Sequence, residues 1–252
     1  MTDTVAECWA RLEPHVTAFG PSDDVARPAV ILFHGCGGLR PHLPLYAQAA
    51  VDAGWRAFVV DSYAPRGWDR TMALTLVCTG VLLRGPERAG DVAAAVWGVA
   101  QRPDVDASRL VMAGWSHGSW SMMDLMTMRL ERSSEASLAD PQTAAPAMAG
   151  IAGLALFYPY VGPGALSRTR PWVRNPPVLA VIARDDHLTS VSNARSIHDR
   201  VARGGAEVEV WVAGGTHAFD EPSTDGGFGP MRHDATLTQE ALTRFRAFLD
   251  RL

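Results

Sequence analysis

The stretch Leu110-Val111-Met112-Ala113-Gly114-Trp115-Ser116-His117-Gly118 passes from an apolar run through Gly-x-Ser-x-Gly into a methionine-rich segment. A short apolar run, a tight glycine-flanked turn and a helical pattern form the setting of a nucleophile elbow. The tightness of that turn requires small residues two before and two after the serine, as Gly114 and Gly118 are. It also pushes the serine hydroxyl above the sheet edge and aims the following backbone N–H at the same point. The plainer alternative is that Ser116 only caps the helix that follows. The rest of the chain decides between them.

Further apolar runs occupy residues 29–33, 57–60, 151–158, 178–183 and 208–212, besides 110–113. Runs that stay apolar without alternating suit strands buried on both faces of a parallel sheet. Helix-like stretches lie between and after them, at 44–53, 87–100, 117–130, 191–203 and 235–249. In the second of these, Val92, Val96 and Val99 fall on one stripe. This alternation predicts one α/β domain over residues 1–252, a mostly parallel, doubly wound sheet with helices on both faces. Residues 15–19 read as a leading edge strand paired antiparallel. Residues 133–146 and 161–177 fit no regular element and read as loops, the second on the ligand side of the sheet.

The 252 residues are 47% hydrophobic and 20% charged, ordinary values for a globular protein with a sizeable core. A net charge of −4 gives no reason to expect nucleic acid or an anionic membrane as partner. No apolar window is long enough to span a bilayer. The first ten residues carry Asp3 and Glu7 and lack the apolar core of a signal peptide, so a cytoplasmic address is expected. Cys8, Cys36 and Cys78 have neither a disulfide-framework pattern nor zinc-ligand spacing. Cys36 and Cys78 both follow neighbouring strands, so a bridge between them is conceivable. A cytoplasmic address favours two free thiols instead.

Ligands of open α/β sheets bind beyond the carboxyl ends of the strands. Four groups stand there. Ser116 needs a base within hydrogen-bond reach to become a nucleophile. His217, in Gly214-Gly215-Thr216-His217-Ala218-Phe219 after the last strand, has glycines that allow its imidazole to swing over the sheet edge. A carboxylate must orient that imidazole, and Asp185 and Asp186 compete for the role. Asp186, three residues before Thr189 where the next helix can begin, is favoured. The oxyanion of an acyl-transfer intermediate needs two N–H donors. His117 supplies one, and the glycine-rich loop His34-Gly35-Cys36-Gly37-Gly38 the other, Cys36 being the expected donor. The chain order Ser116, Asp186, His217 is that of the α/β-hydrolase fold.

These features, with Asp61-Ser62-Tyr63-Ala64-Pro65-Arg66-Gly67 after a strand, resemble the dienelactone hydrolase family over most of the chain. The resemblance implies the α/β-hydrolase fold, Asp186 as acid, His217 as base, and no metal or organic cofactor. Family members that give it its name carry cysteine as nucleophile and an acidic residue before the oxyanion donor. Here those places hold Ser116 and Gly35, so the resemblance implies a serine esterase. It also matches Arg66, with Tyr63, to an arginine that holds a substrate carboxylate. The alternative is that Arg66 pairs with a nearby acid such as Asp61 or Asp69.

The expected activity is hydrolysis of a small carboxylic ester or lactone, with that small molecule as the partner and a monomer or homodimer as the assembly. A peptidase of prolyl-oligopeptidase type shares the acid and base motifs. A ligand receptor on a hydrolase scaffold is the reading from a different class, which tight binding without turnover would favour.

Overall fold

The computed structural model describes residues 2–132, 135–224 and 229–252. Its strands are β1 (Val16–Phe19), β2 (Arg27–Phe33), β3 (Arg56–Val60), β4 (Val105–Trp115), β5 (Ile151–Phe157), β6 (Val178–Asp185) and β7 (Val208–Thr216). They form one sheet in the order β1-β3-β2-β4-β5-β6-β7. β1 pairs antiparallel with β3, Val16 opposite Val60, and every other pairing is parallel. Each apolar run expected as a strand falls in one of these elements. β4 begins well before its apolar part because Asp106, Ser108 and Arg109 form a polar lead-in that an apolar pattern misses.

The helices are α1 (Val5–Leu12), α2 (His42–Asp52), α3 (Arg70–Met72), α4 (Gly85–Ala100), α5 (His117–Met126), α6 (Ala145–Met148), α7 (Val191–Arg203) and α8 (Ala235–Leu249). Side chains alternate across each strand. Ala29, Ile31 and Phe33 of β2 therefore join one core with Val5, Val92, Met122 and Ala194, drawn from α1, α4, α5 and α7. Val30 and Leu32 join the other, with Tyr46 of α2 and Phe245 of α8. Both faces are covered, which is why these strands need apolar residues at consecutive positions. Each such aliphatic side chain contributes about 1.5–3 kcal/mol on leaving water.

Three segments depart from expectation. The N-terminal residues form α1, closed by a reciprocal cap in which Glu7 N–H donates to Thr4 Oγ1 and Thr4 N–H to Glu7 Oε2. Ser133 and Ser134, at the start of the expected loop 133–146, lie outside the described residues; the remainder coils through short turns into α6. After β3, α3 runs into a wider turn, Ala73–Val77, in which Cys78 N–H reaches Ala73 O.

The expectation of free thiols is corrected: Cys36 and Cys78 form a disulfide. Their loops follow the adjacent parallel strands β2 and β3 and meet beyond the sheet edge, with the Cα atoms 5.1 Å apart. Cys8 is a buried free thiol. No helix among the described residues is long and apolar enough to cross a membrane.

Candidate active site

The turn between β4 and α5 places Ser116 at φ 49°, ψ −106°. A non-glycine residue there costs on the order of 1–3 kcal/mol and persists only where its surroundings over-determine it. They do here. Ser116 N–H donates to Phe157 O at 2.9 Å, Trp120 N–H to Ser116 O at 2.9 Å, and Ser119 Oγ to Gly114 O at 2.5 Å. The glycine at 118 is obligatory, since a Cβ there would stand 2.2 Å from the carbonyl oxygen of Phe33. A Cβ on Gly114 would meet Met122 Sδ at 2.6 Å and Ser119 N at 2.8 Å.

His217 enters from the turn after β7, and its Nε2 lies 2.8 Å from Ser116 Oγ. Its Nδ1 lies 2.7 Å from Asp186 Oδ2. Asp186 Oδ1 accepts the N–H groups of Leu188 (2.8 Å) and Thr189 (3.1 Å), so both oxygens of this carboxylate are held. Asp185, the last residue of β6, is exposed and stands opposite Thr216 instead. Burial works against ionisation of Asp186, but the hydrogen bond and charge of His217 and the two N–H donors outweigh it and hold the carboxyl below its ordinary value. The 2.7 Å contact directs Nδ1–H at Asp186, an arrangement that in a neutral imidazole leaves Nε2 to accept from the serine hydroxyl.

Behind this chain lies a second buried carboxylate, Asp220. It accepts from Tyr46 Oη (2.8 Å), Trp115 Nε1 (3.1 Å) and Tyr158 Oη (2.7 Å). Trp115 precedes Ser116, and the Tyr158 ring packs edge-on against His217 with centroids 4.8 Å apart. Asp220 therefore ties the strand that carries the serine to the turn that carries the histidine.

The 34–38 loop is braced from below. His34 is wholly buried; its Nε2 accepts Ser62 N–H at 3.2 Å and its Nδ1 lies 2.7 Å from Gly35 O. Burial, then the charge of Arg88, pushes the His34 pKa well below that of a free imidazole, so the ring is neutral. Cys36 and His117 both line, with Ser116, a cavity of about 410 Å³. Val77, Cys78 and Gly80 supply part of its wall, Trp120 and Tyr160 another part, and Arg84 lines it too. That volume suits a small organic ligand. As the opening residue of α5, His117 has a backbone N–H with no partner inside the helix.

Two expectations are corrected by this geometry. Arg66 does not line the cavity beside Ser116. Its Nη1 and Nη2 bond the two carboxylate oxygens of Asp91 at 2.8 and 3.0 Å, and Nη1 also donates to Ser62 O. Asp91 is buried on α4 and needs a cation. Asp61 and Asp69 are instead occupied with backbone N–H groups of the Tyr63–Ala64 turn and of Met72. Tyr63 is buried too, and its hydroxyl donates to Cys36 O at 3.1 Å, so it holds the loop rather than facing the cavity.

No protein-family model and no curated protein matches the chain. Solved structures do. A dienelactone hydrolase candidate of Klebsiella pneumoniae superposes with a TM-score of 0.68 at 15% identity, covering 94% of this chain and 92% of that one. A dienelactone hydrolase-like promiscuous phosphotriesterase from metagenomic libraries gives 0.64 at 17% identity, over 94% and 99% of the two chains. The fold is that of the dienelactone hydrolases. A butyrate-bound thermophilic esterase from Thermogutta terrifontis shares it, with a TM-score of 0.65 at 18% identity over 94% and 88%. At such identities the likeness is one of fold.

On this fold, three residues of the site escape the sequence patterns. Arg88 lies four residues before Val92, on the buried stripe of α4, and a cation on an apolar stripe is a readable signal. Asp220 stands three residues after His217 with only an ordinary turn composition around it. Arg84 reaches the cavity through the 73–84 segment, whose path depends on the disulfide.

Proposed function

We propose that the chain hydrolyses small carboxylic esters or lactones through an acyl-enzyme on Ser116. The observation that carries this reading is the unbroken hydrogen-bond chain Asp186–His217–Ser116, 2.7 and 2.8 Å long in its two links, ending at the cavity. Ser116 Oγ attacks the acyl carbon as His217 Nε2 takes its proton. Asp186 accepts from Nδ1–H throughout and stabilises the imidazolium. The N–H groups of Cys36 and His117 receive the oxyanion, each worth roughly 10²–10³ in turnover. Nε2–H then protonates the leaving alcohol, which departs and leaves the acyl group on Oγ. A water, deprotonated by Nε2, attacks that acyl group; the second tetrahedral intermediate collapses to the carboxylic acid, and Oγ regains its proton.

Support also comes from the backbone of Ser116, whose positive φ has no evident structural purpose besides presenting the hydroxyl. Among the fold's neighbours are an esterase and a promiscuous phosphotriesterase, so phosphotriesters belong in the substrate panel beside esters and lactones. The test is a fluorophosphonate probe on the folded protein, followed by peptide mapping. A single adduct on Ser116, absent in Ser116→Ala together with p-nitrophenyl acetate turnover, is the expected result. No adduct in wild-type protein would sink the mechanism.

A further inference from the structure

Arg88 has no accessible surface, and among the described residues its hydrogen bonds go only to uncharged groups. Nε–H donates to Ser62 Oγ at 3.1 Å; the two Nη1 protons go to His34 O at 2.8 Å and to His117 Nδ1 at 3.0 Å. Nη2 has no partner among the described residues, and the face of Tyr63 lies 5.7 Å from Cζ. The nearby acid Asp91 is already engaged by Arg66. A buried ion without a directly bonded counter-charge is costly, and such a residue is retained where the charge or the geometry has a use.

The positions of its acceptors suggest the use. His34 precedes Gly35-Cys36, and His117 follows Ser116. One guanidinium nitrogen thus joins the two backbone segments whose N–H groups are assigned to the oxyanion. By donating to Nδ1 it also leaves the His117 proton on Nε2. Burial and the Arg88 charge bring the His117 pKa down to about 3, so this ring stays neutral and adds no charge of its own.

We propose that Arg88 is the positioning residue of the oxyanion hole, fixing the His34 carbonyl and the His117 ring so that the Cys36 and His117 N–H groups converge. Its positive charge, which bonds no carboxylate directly among the described residues, gains a further favourable interaction when the tetrahedral oxyanion forms. An interaction that strengthens in the transition state raises kcat and leaves ground-state binding alone. This inference rests on the acyl-enzyme reading of Ser116.

The experiment compares Arg88→Gln, Arg88→Lys and His117→Ala in the full chain, after thermal unfolding has established which variants fold. Each is assayed for kcat and KM on a neutral p-nitrophenyl ester, and for inhibition by a phenylboronic acid, which forms an anionic tetrahedral adduct on an active serine. Arg88→Gln is expected to lower kcat roughly 10- to 100-fold, somewhat less than loss of a direct donor, with KM within about twofold. Boronate affinity falls by a similar factor, and Arg88→Lys recovers part of both. His117→Ala keeps the backbone N–H but removes the ring acceptor, so kcat falls at constant KM. Its loss and that of Arg88→Gln combine to less than their product. A folded Arg88→Gln variant with wild-type kcat and boronate affinity overturns the inference. So do losses in kcat and KM that are equal in the Gln and Lys variants. Should Arg88→Gln not fold, wild-type kcat in His117→Ala overturns it. Wild-type protein that neither binds the boronate nor takes a fluorophosphonate would instead refute the reading of Ser116 itself.

Discussion

Arg66 and Asp91 form a two-pronged ion pair, Nη1–Oδ2 2.8 Å and Nη2–Oδ1 3.0 Å, outside the cavity that Ser116 lines. Removing the arginine strands a carboxylate that is 3% exposed. Arg66→Ala is therefore expected to cost about 3 kcal/mol of stability, read from denaturant midpoints. Its effect on turnover should be the same for neutral and anionic esters. Arg84→Ala should behave oppositely, leaving stability unchanged and raising KM for anionic esters alone. A selective loss of anionic substrates in the Arg66 variant would contradict this assignment.

Asp186 and Asp185 are adjacent in sequence but differ in what they face. Asp186→Asn removes the acceptor that sets the His217 tautomer, and kcat on p-nitrophenyl acetate should fall roughly 10⁴-fold, as for the corresponding change in a serine protease triad. Asp185→Asn, on an exposed side chain, should leave kcat within about twofold of wild type. Comparable losses in both variants would remove Asp186 from its proposed role.

Thiol titration checks the covalent topology. The chain has three cysteines, of which Cys36 and Cys78 are bonded and Cys8 is buried. Burial also pushes the Cys8 thiol up to about 12, so the reactive thiolate is absent at neutral pH. The native protein should react with none of an alkylating reagent, the unfolded protein at one site, and the unfolded, reduced protein at all three. Two additional reactive thiols without reductant would mean that the bridge is not present.

Asp124 gives a pH dependence of definite sign. Burial raises its pKa from 3.8 to about 6, against the opposing hydrogen bonds from Ser167, Leu166 and Trp120. The native state therefore holds this proton more tightly than the unfolded chain, and its contribution to stability falls as pH rises from 3.8 to about 6. His198, buried and lowered to about 4, contributes with the opposite slope over an overlapping range. The informative quantity is the difference between wild type and Asp124→Asn in urea midpoints. That difference should change in favour of the variant across this interval and be flat above it; a difference independent of pH would reject the assignment.

The elements most legible in the sequence are those governed by local chemistry. The elbow at Gly114–Gly118 is set by steric demands within a few residues, and the β2 and β6 runs by burial on both faces. Asp186 and His217 could be placed because each follows a strand end in a known order. The 70–84 segment could not be derived, since its course depends on a bond from Cys78 to a loop some forty residues earlier. Arg66 shows the complementary limit. Its motif position suggested a ligand-facing side chain, and the competing fact, a buried acid on α4, is a matter of packing that no local pattern carries.

The Asp220 hub has a consequence for how this site can change. Trp115, Tyr46 and Tyr158 meet Asp220 in the core behind the reacting groups, whereas Val77, Cys78 and Gly80 wall the cavity from a separate segment. The Asp220 cluster behind Ser116 and His217 shares no residue with the Val77–Gly80 stretch that walls the cavity. Selection on substrate choice can thus remodel one wall while the alignment of the machinery is inherited intact.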